Sequence, residues 1–512
     1  MPTPVYTYKR PGTTVISSPP QTFQPASVLG NTILVLARFA KGPRYPTLTD
    51  ASGAAAQFGN PSAASGTGFD GALMLSKMAL QRNPTAFQPP TYLICRVGVA
   101  PASVAVMDGS AGTCFTLTGE GAYAGTAGAN LAYSITIVSG AVTNIAFYDT
   151  SSGSPVLLQQ FIAGRNDLSS NQSIVREING QNPLYSLTGA LNPGIVQATI
   201  GTSVNLPVAV TVPAAFSAGS PNDGANATAT DATIAGLLNE SLKFNVQYIT
   251  AAFDAALIAP AIQAHQAAAL VALQWRFAAL GPQLYTTYSS LATTYVASIA
   301  SQQVAVMKHD AYLTANPVTN SPLVVPGYIF AGAWLALKAS GPTQETTTRQ
   351  VVVGFSNILT APGKNGALSS TEQDALAVDS GGFGGIVGTP TPDGILINHA
   401  LTTASYNFNG GINAFSEVNA VNVDNAYNRM LVDAAAPLIG RVYKKLADQQ
   451  AAILRQVNNS AAPLDSAGTI NGYTHQLSRD PQTGNTLVGA TYGLPVGTNY
   501  IQYQSGGIQV QG

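Results

Sequence analysis

Short apolar runs alternate along the chain with stretches in which apolar residues recur every three or four positions. Residues 31–39 (NTILVLARF) are a continuous apolar run, the pattern of a buried strand. Residues 69–81 carry Phe69, Leu73, Leu75, Met78 and Leu80, which predicts an amphipathic helix. TYLICRVGV at 91–99 is again strand-like, rich in β-branched and aromatic residues. Strand, helix, strand in that order predicts an α/β unit. The alternation resumes after Asp231, a helix cap for Ile234, Leu237 and Leu238. There follow a strand at 244–249, helices at 261–273 and 284–300, and a strand at 304–310. A helix at 326–340, a strand at 351–359, a short helix from Thr371 to Leu376 and a closing segment at 394–402 complete the series.

Between these halves, residues 101–224 are rich in Gly, Ser, Thr and Asn. Their strand-like pieces are Cys114–Leu117, Ser134–Val138, Ile145–Tyr148 and Val208–Val212, with one helix near 173–179. This predicts a mainly β module inserted into the α/β domain and left through the polar linker 217–230. Beyond residue 406 come a helix at 421–435 and an amphipathic helix at 441–458. On the second, Val442, Tyr443, Leu446, Gln450, Ile453, Leu454 and Val457 share one face. Arg441, Lys444, Lys445, Asp448 and Arg455 share the other. A strand pair at 470–480 and 486–493 follows.

Both ends carry period-two patterns. Val5, Tyr6, Thr7 and Tyr8, then Val15 and Ile16, are strand-like across a Pro11-Gly12 break. At the other end Tyr500, Gln502 and Gln504 alternate with Ile501 and Tyr503, and the pattern resumes at Ile508 and Val510. Read as unpaired strands, these are arms that offer backbone donors and acceptors to another chain. The plainer reading is that each arm completes its own sheet. The organisation expected is therefore an N-terminal linker arm (1–22), an α/β core (23–100 with 225–405), the inserted β module (101–224), a C-terminal α+β domain (406–497) and a C-terminal strand-exchange arm (498–512).

Composition sharpens this picture. Only 9% of the 512 residues are charged, against about 25% in an average soluble protein. The net charge of −1 supplies no basic field for nucleic acid. A monomer so poorly charged associates readily, whereas a surface covered by copies of itself has no need of the charge. The opening Met-Pro-Thr-Pro-Val-Tyr lacks a signal-peptide pattern, and no uninterrupted apolar run is long enough to span a membrane. The expectation is a soluble product made in a cytoplasm, with no membrane insertion.

Catalytic chemistry finds few candidates. His265, His309, His399 and His475 are far apart in sequence, and none lies in a zinc-binding HExxH pattern. The glycines 381, 382, 384 and 385 lack the Gly-Lys-Ser/Thr of a phosphate-binding loop. No catalytic, cofactor or metal residues are assigned, and the expectation is a protein that is not an enzyme. Cys95 and Cys114 match no metal spacing. Two readings stand for them: reduced buried thiols, or disulfides within or between subunits of a particle exposed to oxidation.

The order of segments resembles the tail sheath proteins of contractile bacteriophages, a family shared with R-type pyocins and type VI secretion sheaths. The resemblance is carried by strand 31–39 with Lys41-Gly42-Pro43-Arg44 and Phe58-Gly59, by LICRVG (93–98), and by the helix around Pro326, Ala331 and Gly332. It is strongest in SEVNAVNVDNAYNRMLVDAAAPLIGR, the basic helix, Ile470-Asn471-Gly472-Tyr473, and the final YGLPVGTNYIQYQSGGI. Residues 341–393 depart from the family's pattern, and 101–224 is the part the family varies most.

The resemblance implies a structural subunit in a virion tail, assembled in the host cytoplasm. It would polymerise helically around a tail tube and contract to drive the tube through the host envelope during genome delivery. Its implied partners are copies of itself, the tail tube protein, and baseplate and tail terminator proteins. The basic helix then has two readings: a solvated face, or, as in the resembled family, a face with Arg441, Lys444, Lys445 and Arg455 turned to an acidic tube. A pyocin-like or secretion-type sheath is the nearest alternative. A surface-layer or adhesin protein is the alternative from another class, and it would usually need an export signal.

Overall fold

The computed structural model describes residues 31–511 apart from 40–41, 44, 60, 62–68, 85–86, 98–101, 120–129, 180–194, 217–228, 232, 285–294, 296–297, 344, 361–363, 366–384, 405–416, 439–444, 480–485, 494–499 and 505–506. The chain begins with β1 (Thr32–Ala37), β2 (Thr47–Thr49), α1 (Ala51–Phe58), α2 (Phe69–Ala79) and β3 (Thr91–Arg96). A β-rich stretch follows: β4 (Ser103–Met107), β5 (Thr113–Gly119), β6 (Leu131–Val138), β7 (Ala141–Asp149), β8 (Val156–Ile162), α3 (Asn171–Ile178), β9 (Val196–Ile200) and β10 (Val210–Ala215). The chain then forms α4 (Thr233–Ser241), β11 (Tyr248–Asp254), α5 (Ala255–Val271), β12 (Phe277–Gly281), β13 (Val304–Val306), β14 (Ala311–Ala315), β15 (Pro322–Pro326) and α6 (Gly327–Ala339). Short strands come next: β16 (Val351–Val352), β17 (Asn357–Thr360), β18 (Lys364–Asn365), β19 (Ile386–Thr391) and β20 (Gly394–Ala400). The last elements are α7 (Val418–Ala435), α8 (Leu446–Ser466), β21 (Asn471–Arg479), β22 (Thr486–Gly493), β23 (Tyr500–Gln504) and β24 (Gly507–Gln511). The architecture is mixed α/β, with several sheets and more than one hydrophobic core.

The largest sheet has the order β13-β12-β11-β1-β3-β2, parallel except for β2. Its central strands β1, β3, β11 and β12 are mostly apolar on both faces because both faces are covered, as parallel sheets require. Alternation divides their side chains between two cores. Ile33, Val35, Tyr92, Ile94, Phe277 and Ala279 face α2 and α6. Leu34, Leu36, Leu93, Cys95, Ile249 and Leu280 face α4 and α5. All thirteen residues of α6 are buried. It reaches the sheet through two glycines: a Cβ on Gly281 would lie 2.2 Å from the Gly327 carbonyl carbon. The buried Lys338 ammonium beyond its middle donates to the carbonyls of Pro342, Thr343 and Glu345 at 3.3, 2.8 and 2.5 Å. Burial pulls its pKa down to about 7.

Several expected boundaries move. The strand expected at 244–249 lies at Tyr248–Asp254, and the helix expected from 261 begins at Ala255. Asp254 starts the helix by accepting the Ala256 N–H at 3.3 Å. Ile258 and Ile262, buried on either side of Pro260, hold the helix through the proline. The expected strand 351–359 is two strands in different sheets, split at Gly354 with φ +87°. Residues 394–402 do not extend the parallel series, because β20 pairs antiparallel with β19 and β16. Strand β12 escaped the sequence reading, its five residues being hidden between helix signals. The helices expected at 284–300 and 371–376 lie largely or wholly outside the described residues.

Residues 102–216 build a core of their own between the sheets β10-β6-β7-β8 and β4-β5-β9, with α3 packed alongside. Ser170 caps α3 through the Ser173 N–H. Near the chain's end, α7 and α8 pack on each other and on hairpin β21-β22. Helix α7 is tied to the large sheet by a reciprocal amide pair between Gln303 and Asn425, at 3.1 and 2.8 Å, and by Arg429 Nη2 donating to Val246 O at 2.9 Å.

The glycine contact gives a direct test. Gly281→Ala should lower stability by about 1–3 kcal/mol through overpacking against fixed backbone. Gly236→Ala in α4, where an added Cβ meets nothing within 4 Å, should be neutral or stabilising by about 0.5–1 kcal/mol. Urea unfolding of the two variants checks the contrast.

Candidate functional site: open hairpins at the C-terminal end

Strands β21 and β22 pair antiparallel from Asn471–Gly493 to Arg479–Thr486, and neither pairs with any other strand among the described residues. A two-stranded ribbon is marginal alone. Here one face is anchored, with Tyr473, Ala490 and Tyr492 packed against Tyr427, Met430, Val457 and Leu464. Among the described residues the outer backbone edges of both strands have no strand partner.

The anchor is a stack of aromatic and polar groups. The Tyr427 and Tyr492 rings stack at 3.9 Å, and the Tyr427 hydroxyl donates to His475 Nε2 at 2.5 Å. The opposite ring nitrogen, Nδ1, donates to Asn458 Oδ1 at 2.6 Å, and burial favours the neutral ring, in which Nε2 is free to accept from the tyrosine. Burial holds the His475 pKa below its ordinary 6.5. Tyr492 OH donates to Asp424 on α7. These residues come from four elements and share no motif spacing, so no local pattern marks them.

The C-terminal arm differs from the expectation of an unpaired strand. Strand β23 pairs with β24 in a hairpin, with Ile501 opposite Val510 and Tyr503 opposite Ile508. Gln504 pairs with Gly507, so these are two strands and not one strand with an interruption. Like β21-β22, this hairpin pairs with no third strand among the described residues. Val5, Tyr6, Tyr8, Val15 and Ile16 lie outside the described residues.

The basic helix also starts later than expected. Helix α8 runs from Leu446 to Ser466 with Lys445 as its extended N-cap, and it continues past the expected end at 458 because Ala461 and Leu464 extend the buried stripe begun at Val457. Lys445, Asp448 and Arg455 are exposed, and Leu446, expected on the apolar face, is 40% exposed. Arg441 and Lys444 lie outside the described residues.

Cys95 and Cys114 are free and fully buried in separate cores, on β3 and β5. Burial pushes the Cys95 thiol up to about 12 and raises that of Cys114. In the single chain both sulfurs are shielded from solvent.

His265 and His309 are also buried. Desolvation, then the adjacent Arg276, lowers His265 to about 3, and desolvation lowers His309 to about 4. The His399 side chain lies outside the description. Among the described residues no group of three or more His, Cys, Asp or Glu is placed to hold a metal, and no helix is long and apolar enough to cross a membrane.

Comparison with solved structures gives this architecture a counterpart. The sheath tail protein of Desulfitobacterium hafniense superposes with a TM-score of 0.51 at 13% identity, over 91% of this chain and 96% of that one. The sheath tail protein of Listeria innocua gives 0.51 at 12%, over 90% and 94%. The chain has the sheath tail protein fold. No protein-family profile and no curated protein matches the sequence. At such identities the sheath tail fold is what the comparison establishes, and it agrees with the resemblance read from the order of segments.

Two predictions follow from the anchor and the thiols. The share of hairpin stability that depends on neutral His475 is fully present above about pH 6.5 and is lost as pH falls toward the lowered folded pKa. Hydrogen exchange of the β21-β22 amides, corrected for intrinsic rates, should therefore lose protection below that pH, and His475→Phe should flatten the dependence. Thiol reagents should label neither cysteine in folded protein and both after denaturation, with no ladder on a non-reducing gel.

Proposed function

We propose that this protein is the structural subunit of a contractile phage tail sheath. The observation that carries the reading is the sheath tail fold over nine tenths of both chains. It is joined by two hairpins whose edges pair with nothing else among the described residues. An open edge is a template for strand addition, and head-to-tail contacts of that kind generate open helices.

In this reading the N-terminal arm, through Val5, Tyr6, Tyr8, Val15 and Ile16, and the C-terminal hairpin, through Ile501, Tyr503, Ile508 and Val510, complete sheets on neighbouring subunits around β21-β22. The α/β core (23–100 with 225–405) forms the body of the lattice, and residues 406–497 are the assembly domain nearest the tube. The inserted module (101–224) stands on the outside, where loops tolerate additions best.

Arg441, Lys444, Lys445 and Arg455 face the tail tube protein. Exposed charge contacts are weak and salt-sensitive, which suits a contact that must release on contraction. The sheath joins a baseplate and a terminator at its ends and shortens to drive the tube through the host envelope. The function is mechanical and not enzymatic, and the assembled location is the virion tail, built in the host cytoplasm. Contraction requires two lattices separated by a barrier, with strand pairing kept while subunits rotate.

Deleting residues 499–512 should give folded protein that no longer forms tubes, read by electron microscopy and by sedimentation. Normal tubes from the truncated chain would contradict strand exchange by this hairpin.

A further inference from the structure

Helix α5 is polar on its inner side and apolar on its outer side. From Ala255 to Trp275 the chain has no Asp, Glu, Lys or Arg, and the polar side chains of the helix are Gln263, His265 and Gln266. All three bond inward. Gln263 Nε2 donates to Ile299 O at 2.8 Å, and Gln266 Nε2 donates to Arg276 O and Gln303 O at 2.9 Å each. His265 is buried, with Nε2 accepting from Arg276 Nη1 at 2.7 Å.

The outward face consists of Leu257, Pro260, Ala264, Ala267, Ala268 and Val271, all exposed. Leu257 is 55% and Val271 87% exposed. A surface helix normally shows the reverse arrangement, and a helix that is apolar all round belongs inside a larger body. Helix α6, also strongly apolar, is buried at every residue.

The spacing of the face says what fits it. Positions 257, 260, 264, 267 and 271 follow one another at intervals of 3, 4, 3 and 4, the seam along which one helix receives another. The alanines in the middle let the two axes approach closely, and the larger residues stand at the ends. Ala264 lies midway between Leu257 and Val271. A second α5 laid antiparallel about Ala264 therefore sets Leu257 against the partner's Val271 and Pro260 against the partner's Ala268. With no charge on the face, the contact buries no ion. Among the other described helices Leu446 is the one large apolar residue left exposed, so the matching stripe on another copy is α5 itself.

We propose that α5 of a free subunit pairs antiparallel with α5 of a second copy, about a two-fold axis at Ala264. The seam from Leu257 to Val271 is about 21 Å long. A helix pair of that length covers less than the roughly 800 Å² per partner of a standard interface, so the contact is weak and reversible. A two-fold contact sets its copies in opposite directions and cannot belong to a head-to-tail helix. It shields the apolar face of the chain outside any such polymer. The inference stands on α5 and does not need the sheath reading.

Disulfide trapping in the full chain tests it, because both native thiols are buried. Copper-phenanthroline is the oxidant, and the fraction that does not sediment is run on non-reducing gels. Ala264→Cys should give a covalent dimer at least tenfold faster than Val204→Cys, a control at a 95% exposed position. Leu257→Cys alone should not cross-link, since its two copies lie about 21 Å apart, beyond disulfide reach. An equal mixture of Leu257→Cys and Val271→Cys chains should give the mixed dimer. Adding Ala267→Glu to Ala264→Cys should slow trapping to the control rate, with circular dichroism unchanged.

Trapping of Ala264→Cys no faster than the control would overturn the proposal and leave the face to solvent or to a different surface. Self cross-linking of Leu257→Cys at the Ala264→Cys rate would overturn it in favour of a parallel pair. Fast trapping that survives Ala267→Glu would overturn it by showing that the seam is not the contact.

Discussion

Helix α6 can lie against the parallel sheet only because Gly281 and Gly327 bring two backbones into contact. Every residue of α6 is buried, so its position has no solvent-facing slack. Any side chain at Gly281 would push it off the strand ends. Its C-terminal end is fixed by a buried ammonium that gathers three carbonyls, and its middle by Trp334, whose indole N–H donates to Thr347 Oγ1 at 3.0 Å. The packed sheet then offers its lower edge to α7 through the Gln303–Asn425 pair and Arg429, and α7 carries the hairpin on the Tyr427 stack. The open edges of β21-β22 are thus held on a chain of rigid contacts that begins at two glycines.

The α/β character was legible because strands buried on both faces read as unbroken apolar runs, as at 31–39 and 91–99. Helix α6 was legible for the same reason: its run from Gly327 to Ala339 is too long for a strand. The boundaries around Asp254 were not, since Pro260 weighs against a helix locally while the cap and the flanking isoleucines are tertiary in effect. The division of 351–359 turns on one backbone conformation at Gly354, which no apolar count records.

At the candidate site the strand-forming character of the last fifteen residues was legible, but their pairing as a hairpin was missed by treating Ser505-Gly506-Gly507 as a gap. The anchor itself, Asp424, Tyr427, Asn458, His475 and Tyr492, joins residues up to 68 positions apart and leaves no local signal. The charge deficit was the clearest functional clue. It fits a surface on which Leu257, Leu270 and Val271 of α5 and Val156, Leu157 and Leu158 of β8 stand exposed without a covering partner in the single chain.

The central claim is that open hairpin edges on one subunit are completed by strands from others in a helical polymer. Cryo-electron microscopy of the polymer formed by the purified full-length chain tests it most directly. The account predicts tubes in which β21-β22 is the centre of a larger sheet, each outer edge hydrogen-bonded to a strand from a neighbouring subunit. Tubes in which that hairpin stays two-stranded, or is closed by strands of its own chain, would contradict it.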